Sequence, residues 1–208
     1  MTLPRGAREL ASACKARVDT VPAGLPYLYA EPALRAHWAP RLPTQGLRVG
    51  LVWKGSAGFE NDSQRSLPSL ATLLPLAQVA GVSFVSLQKG AGENEAAQPP
   101  AGFSLTAVGA DIQDFADTAA LLDQLDLLIS VDTVVAHLAG AMGKPVWLLL
   151  PDYLTDWRWL TERSDSPWYP GVMRLFRQPA GGGWEPVVQA LVPALQAWVA
   201  AHASANRS

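Results

Sequence analysis

Residues 130–147, Ser-Val-Asp-Thr-Val-Val-Ala-His-Leu-Ala-Gly-Ala-Met-Gly-Lys-Pro-Val-Trp, set Asp132 and Thr133 where an apolar strand gives way to a helix of small residues. A helix that starts straight off a strand leaves its first N–H groups without intrahelical partners and carries a partial positive charge there. Both properties suit a phosphate group, so a phosphorylated ligand is expected over Thr133. The same pair also reads as an N-cap, since Asp and Thr are favoured caps and compete for the same N–H groups. His137 falls one turn on, on the face of Thr133. A single His on an Ala-rich helix reads as a packed residue or as a site residue, and no other catalytic candidate is singled out.

Two further loops carry unusual residues. Lys54 to Ser66, Lys-Gly-Ser-Ala-Gly-Phe-Glu-Asn-Asp-Ser-Gln-Arg-Ser, has Gly55 and Gly58 for close backbone approach, with Lys54 and Arg65 as cations that would converge on a diphosphate. A solvated loop explains the composition equally well. Gln88-Lys89-Gly90-Ala91-Gly92-Glu93 reads as a second glycine-hinged ligand loop or as plain turn chemistry. Asp114 and Asp117 fall in the first turn of a helix, where the dipole alone accounts for them. Trp157, Arg158, Trp159 and Trp168 suit a sugar face or a nucleobase, and suit aromatic packing as well. No Asp-x-Asp pair, HExxH or Gly-x-Ser-x-Gly stands in the chain, and no metal or cofactor is expected. A nicotinamide-linked enzyme is disfavoured because no glycine fingerprint opens a strand–helix turn.

These residues need elements that bring them together. From residue 46 on, strand-length apolar runs alternate with helix-length stretches: strands are predicted at Arg48–Trp53, Ser83–Leu87, Leu105–Val108, Leu127–Val131, Val146–Leu150 and Met173–Phe176, helices at Leu67–Val79, Asp114–Gln124, Thr133–Met142 and Glu185–Ala201. Several strands are continuously apolar, as in parallel sheets covered on both faces. The expected fold class is α/β, a Rossmann-like parallel sheet with helices on both faces, whose ligands sit beyond the carboxyl ends of the strands. Three units are expected: a proline-rich arm or linker over 1–45, with short helices at Arg8–Ala16 and Glu31–Trp38, the domain over 46–201, and a disordered tail over 202–208.

Composition sets the outer bounds. The 208 residues are 49% hydrophobic and 16% charged, with net charge −2. That is ample for a core and gives no electrostatic footprint for nucleic acid or an anionic membrane. Neither a signal peptide nor a run of about 20 apolar residues is present. One cysteine, Cys14, fits a reducing compartment, and a soluble cytoplasmic protein is expected.

Val49-Gly50-Leu51-Val52-Trp53-Lys54-Gly55, Asn61-Asp62-Ser63-Gln64-Arg65-Ser66, Val85-Ser86-Leu87-Gln88-Lys89-Gly90, Asp114-Phe115-Ala116-Asp117-Thr118, Ser130-Val131-Asp132-Thr133 with His137-Leu138-Ala139-Gly140, and Asp156-Trp157-Arg158-Trp159 with Ser166-Pro167-Trp168-Tyr169 together resemble one group. That group is the glycosyltransferase family 9 (heptosyltransferase-like) module at the end of bacterial tetratricopeptide-repeat proteins, and the likeness covers about Leu47 to Ala200. It implies the carboxyl-terminal half of a GT-B fold, which binds a nucleotide-diphosphate sugar. The family's phosphate-binding turn carries over to Asp132, Thr133 and Val134, its basic residue to Lys54, and His137 matches the family's His. Gly55, Arg65, Gln88 and Lys89 complete the expected substrate-binding set. The family's acceptor base comes from the amino-terminal half, which needs about 100 residues, so a partner chain is expected to supply it. The second expectation is a non-catalytic remnant or binding module that works through a partner, with Trp38 and the arm docked on another subunit.

Overall fold

The computed structural model describes residues 18–21 and 24–205. The strands β1 (Leu47–Val52), β2 (Val82–Ser86), β3 (Leu105–Ala107), β4 (Leu127–Val131), β5 (Val146–Leu150) and β6 (Met173–Arg177) form one sheet in the order β3-β2-β1-β4-β5-β6. Every neighbouring pair is parallel, as the continuous apolar runs predict. β4 and β5 fall on the predicted residues, and all their side chains are buried.

The helices are α1 (Pro32–Trp38), α2 (Asp62–Arg65), α3 (Glu93–Ala97), α4 (Phe115–Asp123), α5 (Val134–Ala141) and α6 (Glu185–Ala205). The helix predicted over Leu67–Val79 is instead a 3-10 helix, Leu70–Gln78, which contains Pro75; proline has no N–H for an α-helical bond. α6 runs past the predicted end at Ala201 into the predicted tail. Residues 206–208 and the predicted helix Arg8–Ala16 lie outside the described residues.

Alternation along the strands sends side chains into two cores. Val85, Leu128 and Leu148 pack with Trp38 of α1, Leu121 and Leu122 of α4, and Ala136 and Ala139 of α5. On the other face Val49, Leu51, Ile129 and Leu149 meet Leu70, Leu73 and Leu76 of the 3-10 helix, and Val188, Leu191 and Leu195 of α6. The strand order reverses between β1 and β4, which opens a crevice at their carboxyl ends. The loops that follow these strands begin at Trp53 and Asp132.

Residues 24–45 of the arm fold back on this domain. The N–H groups of Tyr27 and Leu28 donate to the carbonyl of Ala141 at 2.9 and 3.3 Å, and Leu25, Ala30 and Leu34 pack against the first core. Trp38 is 1% exposed, and its Nε1 donates to the Asp117 carboxylate at 2.8 Å. This corrects the expected docking of Trp38 on another subunit: the ring is enclosed by its own chain.

The Gln113 N–H donates to the other Asp117 oxygen at 2.9 Å. That bond, helped by Trp38 and opposed by burial, holds the Asp117 carboxyl below its ordinary value of 3.8. A folded-state pKa below the unfolded one adds stability above the unfolded value, and that stability is lost as pH falls through the folded value. Asp117→Asn should therefore cost about 1.5 to 3 kcal/mol at pH 7. The gap to wild type should narrow below about pH 4. Urea midpoints across pH test this, and a constant gap would contradict it.

Candidate active site at the switch point

Gln88 ties the first two loops together. It is 2% exposed, and its Oε1 accepts the N–H groups of Trp53 and Lys54, both at 2.9 Å. Its Nε2 donates to the carbonyls of Ala91 at 2.8 Å, Lys54 at 3.1 Å and Lys89 at 3.4 Å. Expected as a ligand contact, Gln88 instead spends both ends of its amide on backbone and positions the loops. Gly109 lies against it so closely that a Cβ there would stand 1.8 Å from the Gln88 carbonyl oxygen.

The two cations of the 54–66 loop part company. The Lys54 amine donates to the Pro68 carbonyl at 2.8 Å and lies 3.6 Å from Glu95. Its expected turn toward a diphosphate is therefore not seen, because Glu95 at the head of α3 offers a charged partner the other way. Arg65 faces the crevice. Its Nε sits 3.3 Å from Asp62, and its guanidinium lies 4.2 Å over the Phe59 ring. A Cβ on Gly55 would come within 2.6 Å of that guanidinium, so glycine is what admits it. The Gly55 N–H donates to Ser66 Oγ, which donates in turn to Asp62, at 2.8 and 2.9 Å. Lys89 is exposed, with its amine 3.3 Å from the Ala110 carbonyl.

At the start of α5 the capping alternative fails. Thr133 occupies the N-cap position, but its Oγ1 sits 3.2 Å from Ser130 Oγ and caps nothing. One Asp132 oxygen accepts Trp159 Nε1–H at 2.9 Å, and the other stands 3.8 Å from His137 Nε2. No side chain among the described residues seals the first turn. Burial raises the Asp132 pKa, against the Trp159 bond, and burial lowers that of His137, against the attraction of Asp132. His137 stacks on the fully buried Trp159 at 5.1 Å between centroids, and its Nδ1 lies 2.9 Å from the Tyr169 hydroxyl. Gly140 makes room for the Tyr169 ring, 2.6 Å from where a Cβ would be.

Two cavities flank this helix terminus. One, of about 850 Å³, is lined by Lys54, Gly55, Arg65, Gln88, Lys89, Thr133 and Val134, together with Ile112, Phe115 and Thr118. The other, of about 660 Å³, is lined by Asp132 and His137, with Asn61, Asp156, Arg158 and Tyr169. Arg65, Thr133 and Val134 border both. The crevice thus gathers every expected residue, in two compartments. Asn61 and Tyr169 were not expected as contacts, although each lies in a stretch that carries the family resemblance, whereas Arg158 and Asp156 belong to the aromatic loop read as suiting a sugar face.

Trp159 belongs to the core rather than to a sugar face. Asp114 caps α4 through the N–H groups of Ala116 and Asp117, at 2.8 and 3.0 Å, and also borders the larger cavity. Among the described residues no cluster of His, Cys, Asp or Glu is fit to hold a metal.

Comparison with known proteins matches part of the sequence and the fold. Residues 68–149 match glycosyltransferase family 9 (heptosyltransferase). Protein FlbA of Caulobacter vibrioides (strain ATCC 19089 / CIP 103742 / CB 15) is 32% identical over 185 residues, covering 84% of this chain and 29% of FlbA. The E. coli ADP-heptose lps heptosyltransferase II superimposes with a TM-score of 0.57 at 16% identity, over 84% of this chain and 54% of its own. E. coli heptosyltransferase WaaC with ADP does so with 0.52 at 16% identity, over 86% and 53%. The chain thus spans about half the length of these enzymes and less than a third of FlbA. Residues 68–149 carry the pattern of glycosyltransferase family 9 (heptosyltransferase), and the chain shares the α/β fold of these heptosyltransferases.

Proposed function

We propose that this domain is the nucleotide-diphosphate-sugar-binding half of a metal-independent, inverting glycosyltransferase of GT-B architecture. One observation carries the reading: the first turn of α5 is uncapped and lies between two cavities that share Arg65, Thr133 and Val134. Base and ribose occupy the larger cavity, the diphosphate bridges the helix terminus and reaches His137, and the sugar enters the smaller cavity beside Asp132 and Arg158. An acceptor hydroxyl attacks the anomeric carbon, the bond from that carbon to the phosphate oxygen breaks, and the diphosphate leaves. Its growing charge meets helix N–H groups and the Arg65 guanidinium, which are fixed in place beforehand. A base that takes the acceptor proton comes from an acceptor-binding half, in the same chain or a partner.

The kinship with modules of tetratricopeptide-repeat glycosyltransferases and a cytoplasmic location belong to the same reading. Among the described residues no helix is long and apolar enough to cross a membrane. The alternative, a binding module docked through its arm, loses its anchor because Trp38 is enclosed.

Calorimetric titration with ADP, UDP and GDP and their sugars, in chelator, tests the proposal. At least one diphosphate is expected to bind with unchanged affinity when metal is withheld. No heat with any of them at millimolar ligand would overturn the reading.

A further inference from the structure

We propose that Tyr169 is a positioning residue of this site: its hydroxyl donates to Nδ1 of His137 and holds the ring in the tautomer protonated on Nε2, aimed at the space beside Asp132. The inference rests on the reading of the two cavities as one nucleotide-sugar site.

Four observations give the bond its direction and its purpose. The hydroxyl lies 2.9 Å from Nδ1, while Nε2 lies 3.8 Å from an Asp132 oxygen. An ionised carboxylate only accepts, so it favours the proton on Nε2 and leaves Nδ1 to accept from the tyrosine. The ring plane is set by stacking on Trp159, whose own N–H occupies the other Asp132 oxygen at 2.9 Å. Finally, Gly140, on the helix that carries His137, clears the space for the phenol ring.

Burial lowers the pKa of His137 and raises that of Tyr169, helped by Tyr27, whose hydroxyl is hydrogen-bonded to that of Tyr169 and must be the donor there if the Tyr169 proton goes to Nδ1. Both groups are neutral at pH 7, as the arrangement requires. At 3.8 Å the Nε2–H falls short of a hydrogen bond to Asp132. The donor therefore keeps its capacity for a ligand oxygen that enters between the two side chains. Tyr169 itself touches the chemistry only through His137.

The chain has three histidines, so long-range proton–nitrogen spectra of labelled imidazoles separate them, and His137→Gln assigns the signal of interest. In wild type Nδ1 is expected as a bare acceptor and Nε2 as the protonated nitrogen. In Tyr169→Phe the two tautomers should average. A protonated Nδ1 in wild type, or an unchanged spectrum in the variant, overturns the proposal.

Titration with pyrophosphate and with ADP gives the second readout. Tyr169→Phe should weaken both by about three- to tenfold. The same change in a His137→Gln background should add nothing. A further loss there would mean that Tyr169 acts by another route and would also overturn the proposal. If wild type binds neither probe, the nucleotide-sugar reading fails, while the tautomer spectrum still decides the role of the tyrosine.

Discussion

Arg65→Ala is expected to weaken binding of a nucleoside diphosphate by about 10- to 100-fold, the worth of charge-assisted hydrogen bonds to a phosphate. Binding of the matching nucleoside should barely change, because Arg65 lies at the junction of the two cavities and the base is expected deep in the larger one. Lys54→Ala makes the contrast. Its amine is engaged by Glu95 and the Pro68 carbonyl, so the loss should stay within about threefold. Parallel titrations of both variants with ADP and adenosine decide between the cations. Equal losses from the two, or an Arg65 loss shared by the nucleoside, would remove Arg65 from the phosphate site. Folding should be nearly unaffected, because Asp62 keeps its bond from Ser66 at 2.9 Å.

Gly109→Ala should be the most disruptive single methyl in the domain. The added carbon would meet the Gln88 carbonyl oxygen at 1.8 Å, and that oxygen belongs to the backbone, with no flexible side chain to yield. A cost of about 3 to 5 kcal/mol is expected, at the upper end for overpacking. Gly50→Ala is the control. Its methyl would meet the end of the Leu125 side chain at 2.5 Å, which can turn away, so about 1 to 2 kcal/mol suffices. Urea unfolding of both variants measures the difference, and similar midpoints would contradict the argument. Because Gln88 gathers the loops after β1 and β2, the Gly109 variant should also lose diphosphate affinity at concentrations of urea where it is still folded.

The fold was legible where burial is two-sided. β4 and β5 read as unbroken apolar runs and fall on the predicted residues, because parallel strands under helices leave no polar face to blur the pattern. The 54–66 loop was legible as a site without the assignment of its parts. Which of Lys54 and Arg65 turns inward depends on Glu95, a residue of a different loop–helix unit that no local pattern connects to Lys54. Gln88 shows the same limit: an amide after a strand looks alike whether it faces ligand or backbone, and only the packed loops decide. The His137–Tyr169 pair spans 32 positions of sequence and joins two elements through a gap left by Gly140. Composition and spacing carry no trace of such a contact. The arm misled for a related reason, since its prolines break the helical period while Leu25, Leu34 and Trp38 still supply apolar cover.

The place of β1 in the sheet bears on how this domain is cut. The family match begins at residue 68, after β1 has ended, yet β1 is the strand to which both β2 and β4 are hydrogen-bonded. A boundary set at the family match alone therefore leaves out the central seam, and the two sheet fragments on either side of it have no strand in common. Pairing partners and apolar cover, from Leu25 to α6, thus reach well beyond the stretch that the family match spans.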